Sequence, residues 1–268
     1  MYDLPALEAA LASTVFAGKL HFAPTTSSTN TDALAAARLG APHGSVYFAD
    51  EQTAGRGRGN HNWHSAAGEG LYVSVLLRPQ IPVARLPLLP LAAGLAAADA
   101  IRTAASQSPG GLRIDLRWPN DLLIGPRKVG GILVEAGNDS ERLPHAVVGI
   151  GINVHQRVFA PDLATPATSL DLATGGRISR QSLLLALLKS LEQEAVTLEN
   201  QDAARTVTAR VESASTWVRG RNVSVHGPQA CQGVTAGLDE HGFLRVLTAA
   251  GMVTVQTGGL RERPASGF

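Results

Sequence analysis

The sequence predicts an α+β fold: a mixed or antiparallel central sheet flanked by helices, followed by a small C-terminal β-barrel. Three observations point there. Short β-branched and aromatic runs recur with turn residues between them. Two longer apolar stretches carry helical spacing. After Trp217 the texture changes to short, partly alternating strands separated by tight turns. At 268 residues the chain suffices for one large domain, or a large one plus a small one. A chain of this size buries about 75% of its unfolded surface, so a core forms without covalent staples.

The elements follow in order. Met1 to Gly18 carries Asp3, Pro5 and Glu8 without a basic region, so it does not read as an export signal. Thr29-Asn30-Thr31-Asp32 opens an alanine-rich run that stops at Gly40, with a hydroxyl at the expected N-cap, an acid three residues on and a glycine at the exit. That pattern predicts a short helix. Ser45 to Ala49 and Leu71 to Leu77 read as strands joined by a long glycine-rich segment, Asp50 to Gly70. Loops of that length inside a compact domain are uncommon and tend to be functional lids. Leu86 to Ala105 predicts a packed helix with its prolines in the first part. Strands are expected at Leu112 to Trp118, Leu122 to Gly125, Ile132 to Glu135 and Ala146 to Ile152. Gln181 to Glu199 spaces Leu184, Leu187, Leu188 and Leu191 as one helical face. Beyond Trp217, strands are expected at Val223 to His226, Cys231 to Leu238, Phe243 to Leu247 and Met252 to Val255. The division is an N-terminal segment at 1–18, a large domain at 19–212 and a small one at 213–268.

Composition excludes several function classes. The 23 basic and 22 acidic residues leave a net charge of +1, which argues against a dedicated polyanion binder. Cys231 is the only cysteine, so no intrachain disulfide forms, and a reducing, cytoplasmic location is expected. The longest apolar stretch, Leu86 to Ala98, is broken by Pro87, Pro90 and Gly94 and ends at Asp99, short of the ~20 residues of a membrane span. His61 and His64 invite a metal, but no third ligand lies nearby. Neither a P-loop nor a Gly-x-Ser-x-Gly elbow is present.

Four segments can carry chemistry. In Glu51-Gln52-Thr53-Ala54-Gly55-Arg56-Gly57-Arg58-Gly59-Asn60-His61-Asn62-Trp63, the glycines let amide N–H groups converge on a ligand, and the two arginines supply forks for carboxylate or phosphate. A solvated Arg/Gly turn, or a piece of a nucleic-acid-binding tract, fits the same composition. Arg117-Trp118-Pro119-Asn120-Asp121 ends a strand with an amide and a carboxylate, and Asp121 has the oxygen ligand that Mg²⁺ takes. It is equally ordinary turn chemistry. Lys128-Val129-Gly130-Gly131-Ile132-Leu133-Val134-Glu135 sets a point cation beside a glycine pair that lets a ligand approach the backbone, although a lysine before a tight turn is more often simply solvated. Val148 to Val154 reads as a buried strand with Gly149 and Gly151 where bulk would obstruct and Asn153 at its end; a bulge with a structural Asn explains it equally well.

Taken together with Ser28-Thr29-Asn30, these motifs resemble, in order and spacing, those of the biotin protein ligases. The resemblance is strong from about residue 20 to 200 and looser in the C-terminal part. It implies a catalytic domain like that of class II aminoacyl-tRNA synthetases with an SH3-like C-terminal domain. It also implies a reaction: biotin and ATP give biotinyl-5′-AMP and pyrophosphate, and the biotinyl group passes to a lysine of a biotin carboxyl carrier protein. Carried over residue by residue, Ser28, Thr29, Asn30, Gln52, Gly55, Arg56, Gly57, Arg58, Lys128 and Gly131 would line the biotin pocket. Trp63, Asn120, Ile132 and Asn153 would meet the nucleotide, and Asp121 a Mg²⁺ ion; Lys128, Arg58 and Asp121 would be the catalytic set. Joining a carboxylate to the α-phosphate of ATP brings two anions together, which requires cations and N–H donors at the reacting centre. The mixed anhydride needs shelter from water, and the glycine-rich segment is the expected lid.

Two features depart from the family pattern. Gly59-Asn60-His61-Asn62-Trp63 lacks a basic residue that many relatives carry before the Trp. Ser28 also comes too early for the N-terminal winged helix-turn-helix of the repressor members, so no operator binding is expected, nor nucleic-acid or membrane partners. Relatives include dimers that meet through edge strands of the catalytic sheet, so a homodimer is compatible with the pattern. The rival readings are a lipoate or octanoate ligase or transferase of related fold, and an Arg/Gly-loop nucleic-acid-binding module.

Overall fold

The computed structural model describes residues 2–107, 111–137 and 145–263. In chain order it runs α1 (Leu4–Ala10), β1 (Leu20–Thr26), α2 (Thr29–Arg38), β2 (Ser45–Gln52), β3 (Gly70–Leu77), α3 (Leu89–Ala104), β4 (Asp115–Arg117), β5 (Asp121–Ile124), β6 (Arg127–Ala136) and β7 (Ala146–Asn153). There follow α4 (Leu170–Thr174), α5 (Arg180–Glu199), α6 (Ala203–Ala214), β8 (Arg219–His226), β9 (Cys231–Leu238), β10 (Leu244–Thr248), β11 (Gly251–Val255) and β12 (Gly259–Glu262). Strands β1 to β7 form a seven-stranded sheet in the order β1-β2-β3-β7-β6-β5-β4, and β8 to β12 a five-stranded antiparallel sheet in the order β11-β10-β9-β8-β12. The larger sheet is mixed, because α2 carries the chain from β1 into a parallel pairing with β2 while the other pairs are antiparallel.

Alternation along the central strands decides which face does what. Leu71, Val73, Val75 and Leu77 of β3, with Val148, Ile150 and Ile152 of β7, point into the main core under α3 and α5. Leu183, Leu184, Leu187, Leu188 and Leu191 of α5 are all buried there, each stabilising the fold by about 1.5–3 kcal/mol. The opposite face is apolar only under α2, where Ala33 and Ala37 pack on Leu76 and Val147. Beyond that patch it carries Ser74, Gly149, Gly151 and Gly131, and this hollow holds the site.

Several expectations change. The helix expected over Leu86 to Ala105 is a 3-10 turn, Val83–Leu88, continued by α3. That span, 22 residues from Val83 to Ala104, is long and apolar enough to cross a membrane, and 67% of its most apolar window is buried as a core helix. The capping box expected at Thr29 does not form: Ser28 is the N-cap without a side-chain cap bond, and Asp32 instead accepts from Thr26 Oγ1 at 2.6 Å. The strand expected over Leu112 to Trp118 shrinks to β4. The N-terminal segment is not separate, since Tyr2, Leu7, Leu11 and Phe16 are buried in the main core. The boundary expected near residue 213 falls in the last turn of α6, and Trp217, Val218 and Val223 join that same core. Segments flanking the two sheets are also hydrogen-bonded to each other. Trp118 Nε1 donates to Gly242 O at 3.0 Å, and Ser215 Oγ to Leu116 O at 2.5 Å.

Candidate active site

The glycine-rich segment folds back on itself. Bridges pair Gln52 with Ser65 and Arg56 with Asn62, and Trp63 N donates to Gly55 O at 2.9 Å. Gly55 has no room for a Cβ, which would overlap Trp63 O and Ser65 Oγ, and Gly59 turns the tip at φ 60. The result is a small ordered flap over the hollow face of the sheet.

At one end of the hollow is a cluster of hydroxyls and amides. Thr29 N and Thr29 Oγ1 both donate to Gln52 Oε1, at 2.9 and 3.1 Å, and Gln52 Nε2 donates to Ser65 Oγ at 2.8 Å. Ser74 Oγ lies 2.7 Å from Thr29 Oγ1 and donates to Asn30 Oδ1 at 2.5 Å. Asn30 Nδ2 donates to Glu135 Oε2 at 2.7 Å, and Arg56 clamps the same carboxylate from the flap at 2.8 and 3.1 Å. Asn30 occupies the space above Gly149, where a Cβ would overlap its Oδ1. Ser28, Thr29 and Asn30 are buried.

At the other end the charges gather. Lys128 Nζ lies 2.5 Å from Asp121 Oδ1, and Arg117 donates to Asp121 Oδ2 at 2.6 and 3.0 Å. Burial pushes the Asp121 carboxyl upward, but Lys128 and then Arg117 more than offset that and hold it below the usual carboxylate range. Arg58 reaches the same cluster from the flap and donates to Asn120 Oδ1 at 3.4 Å. Burial lowers the Arg58 pKa and Asp121 raises it. Asn120 is fixed by β6: its Nδ2 donates to Ile132 O at 2.7 Å, and Ile132 N donates back to Asn120 O at 2.9 Å.

Strand register places the two ends on different rows of the sheet. Ser74, Gly149 and Leu133 form one row across β3, β7 and β6; Tyr72, Gly151, Gly131 and Asp121 form the row two residues along. The rows are about 7 Å apart at the rise of an antiparallel strand. Trp63 lies across the second row, where a Cβ on Gly151 would come within 2.5 Å of its indole nitrogen, and Lys128 Nζ sits 5.4 Å from the ring centroid. The buried Trp63 Nε1 has no hydrogen-bond partner. A cleft of about 580 Å³ continues from the flap along Leu133 to Glu135 toward Gly242 and Phe243 of the second sheet.

The residues singled out in the sequence are thus largely brought together, with exceptions. Asn153 is tied to the charged end only through the backbone: its Nδ2 donates to Thr168 O at 3.0 Å, and Thr168 N donates to Lys128 O at 2.9 Å. The Ile132 side chain points into the core toward α3, leaving only its backbone to face the cleft. Asp121 does not fit the metal role: each carboxylate oxygen already holds a cation. Among the described residues no group of three His, Cys, Asp or Glu side chains could hold a metal ion. Ser74, Ser65 and the partnership of Glu135 with Asn30 and Arg56 escaped the sequence reading. Ser74 had one signal, as the polar member of the otherwise apolar run Leu71 to Leu77.

A mixed sheet whose glycine-bearing strands lie beneath a flap, with hydroxyl and amide groups at one end of that face and cations at the other, suits a small acid with a polar head. The family model described as Biotin/lipoate A/B protein ligase family matches residues 22–153. The biotin acetyl-CoA-carboxylase ligase of Mycobacterium tuberculosis is 35% identical over 237 residues, covering 87% of this chain and 85% of that protein, and the chain belongs to this ligase family. The bifunctional ligase/repressor BirA of Bacillus subtilis is 41% identical over 169 residues, covering 62% of this chain and 50% of BirA. The chain therefore spans about half the length of that relative. Among solved structures, the biotin protein ligase of Aquifex aeolicus in complex with biotin and ATP superposes with a TM-score of 0.78 at 29% identity, covering 92% of this chain and 100% of that one.

Proposed function

We propose that this protein activates biotin with ATP and transfers it to a lysine of a biotin carboxyl carrier protein; relatives named biotin acetyl-CoA-carboxylase ligases support the reading. One observation carries the reading: Arg58 and Lys128, brought by separate turns, meet at Asn120 and Asp121, two residues along and three strands across from Ser74 in a cluster of hydroxyl and amide side chains. Thr29, Asn30 and Gln52, with Ser28 beside them, offer the donors and acceptors that a ureido ring takes. Gly55, Arg56 and Gly57 cover that ring from the flap, and Gly131 keeps the sheet flat beneath the acid's chain.

Chemically, a carboxylate oxygen of biotin attacks the α-phosphorus, the bond to the β-phosphate oxygen breaks, and pyrophosphate leaves. Lys128 and Arg58 stabilise the charge gathered in the transition state. A neutral lysine amine of the acceptor then attacks the acyl carbon, AMP leaves, and the amine gives up a proton. Asp121 acts by holding Lys128 rather than by holding a metal. Mg²⁺ accompanies the phosphates of ATP, the usual way this ion joins a nucleotide site. Trp63, Asn120 and the Ile132 backbone border the nucleotide, with Asn153 at the far end of β7.

In the same reading the seven-stranded sheet is of the class II aminoacyl-tRNA synthetase-like type and the five-stranded sheet is an SH3-like domain of residues 213–268, of which 264–268 lie outside the described residues. Strand β6 beyond β5 offers the edge for a homodimer. The protein works in the cytoplasm without nucleic-acid or membrane partners. Incubation with labelled biotin, ATP and a carrier domain, with lipoate as competitor, tests the substrate. Label on the carrier that lipoate does not displace supports biotin; displacement by lipoate favours the rival acyl group.

A further inference from the structure

The flap arginine is held from the second sheet, by a turn that none of the four motifs contains. Arg58 Nη2 donates to Thr257 Oγ1 at 3.0 Å and Nη1 to Gly258 O at 3.1 Å, alongside the contact to Asn120. The turn is itself fixed. Gln256 N donates to Gln229 Oε1 at 2.7 Å, and Gly258, at φ 153, lies so close to β8 that a Cβ would come within 2.6 Å of His226 O. Two acceptors on a braced turn match the rigid fork of a guanidinium, so the flap is not closed by its own hairpin bonds alone. The cleft between flap and second sheet, bordered by Arg58, His61, Phe243 and Gln256, is the space this contact shuts.

We propose that Thr257 is a positioning residue: it latches Arg58, and thereby the flap, onto the second sheet and slows escape of the activated intermediate. This deepens the function proposed above and rests on it for the identity of the intermediate. The latch itself is a property of the ligand-free chain.

Both parts are tested on the full chain with Thr257→Val, which removes the hydroxyl at nearly constant volume, and with Thr257→Ser, which restores it. In the ligand-free protein, trypsin cleavage after Arg58 is expected to run about fivefold to tenfold faster in Thr257→Val than in the unaltered chain or in Thr257→Ser, the range one hydrogen bond to a charged group supports when partly solvated. With biotin and ATP, release of biotinyl-AMP is expected to rise by a similar factor, while the melting temperature stays within about a degree. In an Arg58→Ala background the same substitution should add nothing to release, because the two act as one unit. Equal cleavage rates in the valine variant and the unaltered chain, failure of serine to restore protection, or full additivity with Arg58→Ala would overturn the latch. Absence of biotinyl-AMP from the unaltered chain would overturn the proposed function, and the cleavage comparison would still decide the latch.

Discussion

Lys128 illustrates how one side chain joins local geometry to chemistry. Its ammonium lies against Asp121 and over Trp63, so a cation is held in place before any ligand arrives. Replacement by alanine removes one preorganised stabiliser, worth about 3 kcal/mol in comparable sites, and is expected to depress biotin-dependent exchange of pyrophosphate into ATP by about 10²-fold or more with the fold intact. Retention of full exchange would remove Lys128 from the reaction. Arg58→Ala is expected to release biotinyl-AMP into solution faster, as a trapping assay would record.

Asp121 adds a pH dependence whose sign follows from its partners. Its folded pKa lies below the ordinary 3.8 because Lys128 and Arg117 outweigh burial, so its stabilising contribution is fully present above that value. It is lost as pH falls through the depressed value. Acid unfolding of Asp121→Asn against the unaltered chain checks this: the difference should persist at mildly acidic pH and vanish only below the ordinary carboxylate range. Arg58 and Lys128 could be singled out in the sequence only from the motifs taken in order, because a solvated Arg/Gly turn or a solvated lysine fits either segment alone. Ser74 could not, because a lone serine in an apolar strand looks the same whether or not it touches a site.

At the level of elements, the glycines of β6 and β7 shape the cavity by omission. A methyl at Gly149 would overlap Asn30 Oδ1 and push that side chain off Ser74 and Glu135. Gly149→Ala is therefore expected to destabilise the fold by about 1–3 kcal/mol, as overpacking does, and to weaken biotin binding more than ATP binding in calorimetry. Unchanged biotin affinity would mean that Asn30 does not shape the pocket. The strands with β-branched runs were legible, since alternation or continuous burial marks them directly. Strand β1 was not: Leu20–Thr26 contains Pro24, which suits the sheet edge it occupies but weakens the strand signal. Helix α1 has only seven residues with a proline in its first turn, and β12 only four, too short for periodicity to register. Helix α6 mixes alanine, threonine and arginine, and just Ala203, Val207 and Val211 are buried.

For the whole molecule, the change of texture after Trp217 marked a second sheet correctly but did not reveal how tightly it is joined. One buried cluster runs from Tyr2 through α5 to Leu260, and the guanidinium groups of Arg117 and Arg221 both lie over the Trp217 ring, 5.2 and 4.5 Å from its centroid. Such continuity predicts a single cooperative unfolding transition in calorimetry rather than two. A separate transition for the second sheet would show that it folds as a unit of its own. Sequence alone could not reveal this, because contacts such as Trp118 with Gly242 join residues 124 positions apart.

The reading as a whole stands on a small acid being activated where Arg58 and Lys128 meet. Exchange of labelled pyrophosphate into ATP, followed with and without biotin in the absence of any acceptor, tests this most directly. Exchange that requires biotin and falls about 10²-fold in Lys128→Ala is the predicted result. Exchange driven by lipoate and not by biotin, or none with either acid, would contradict it.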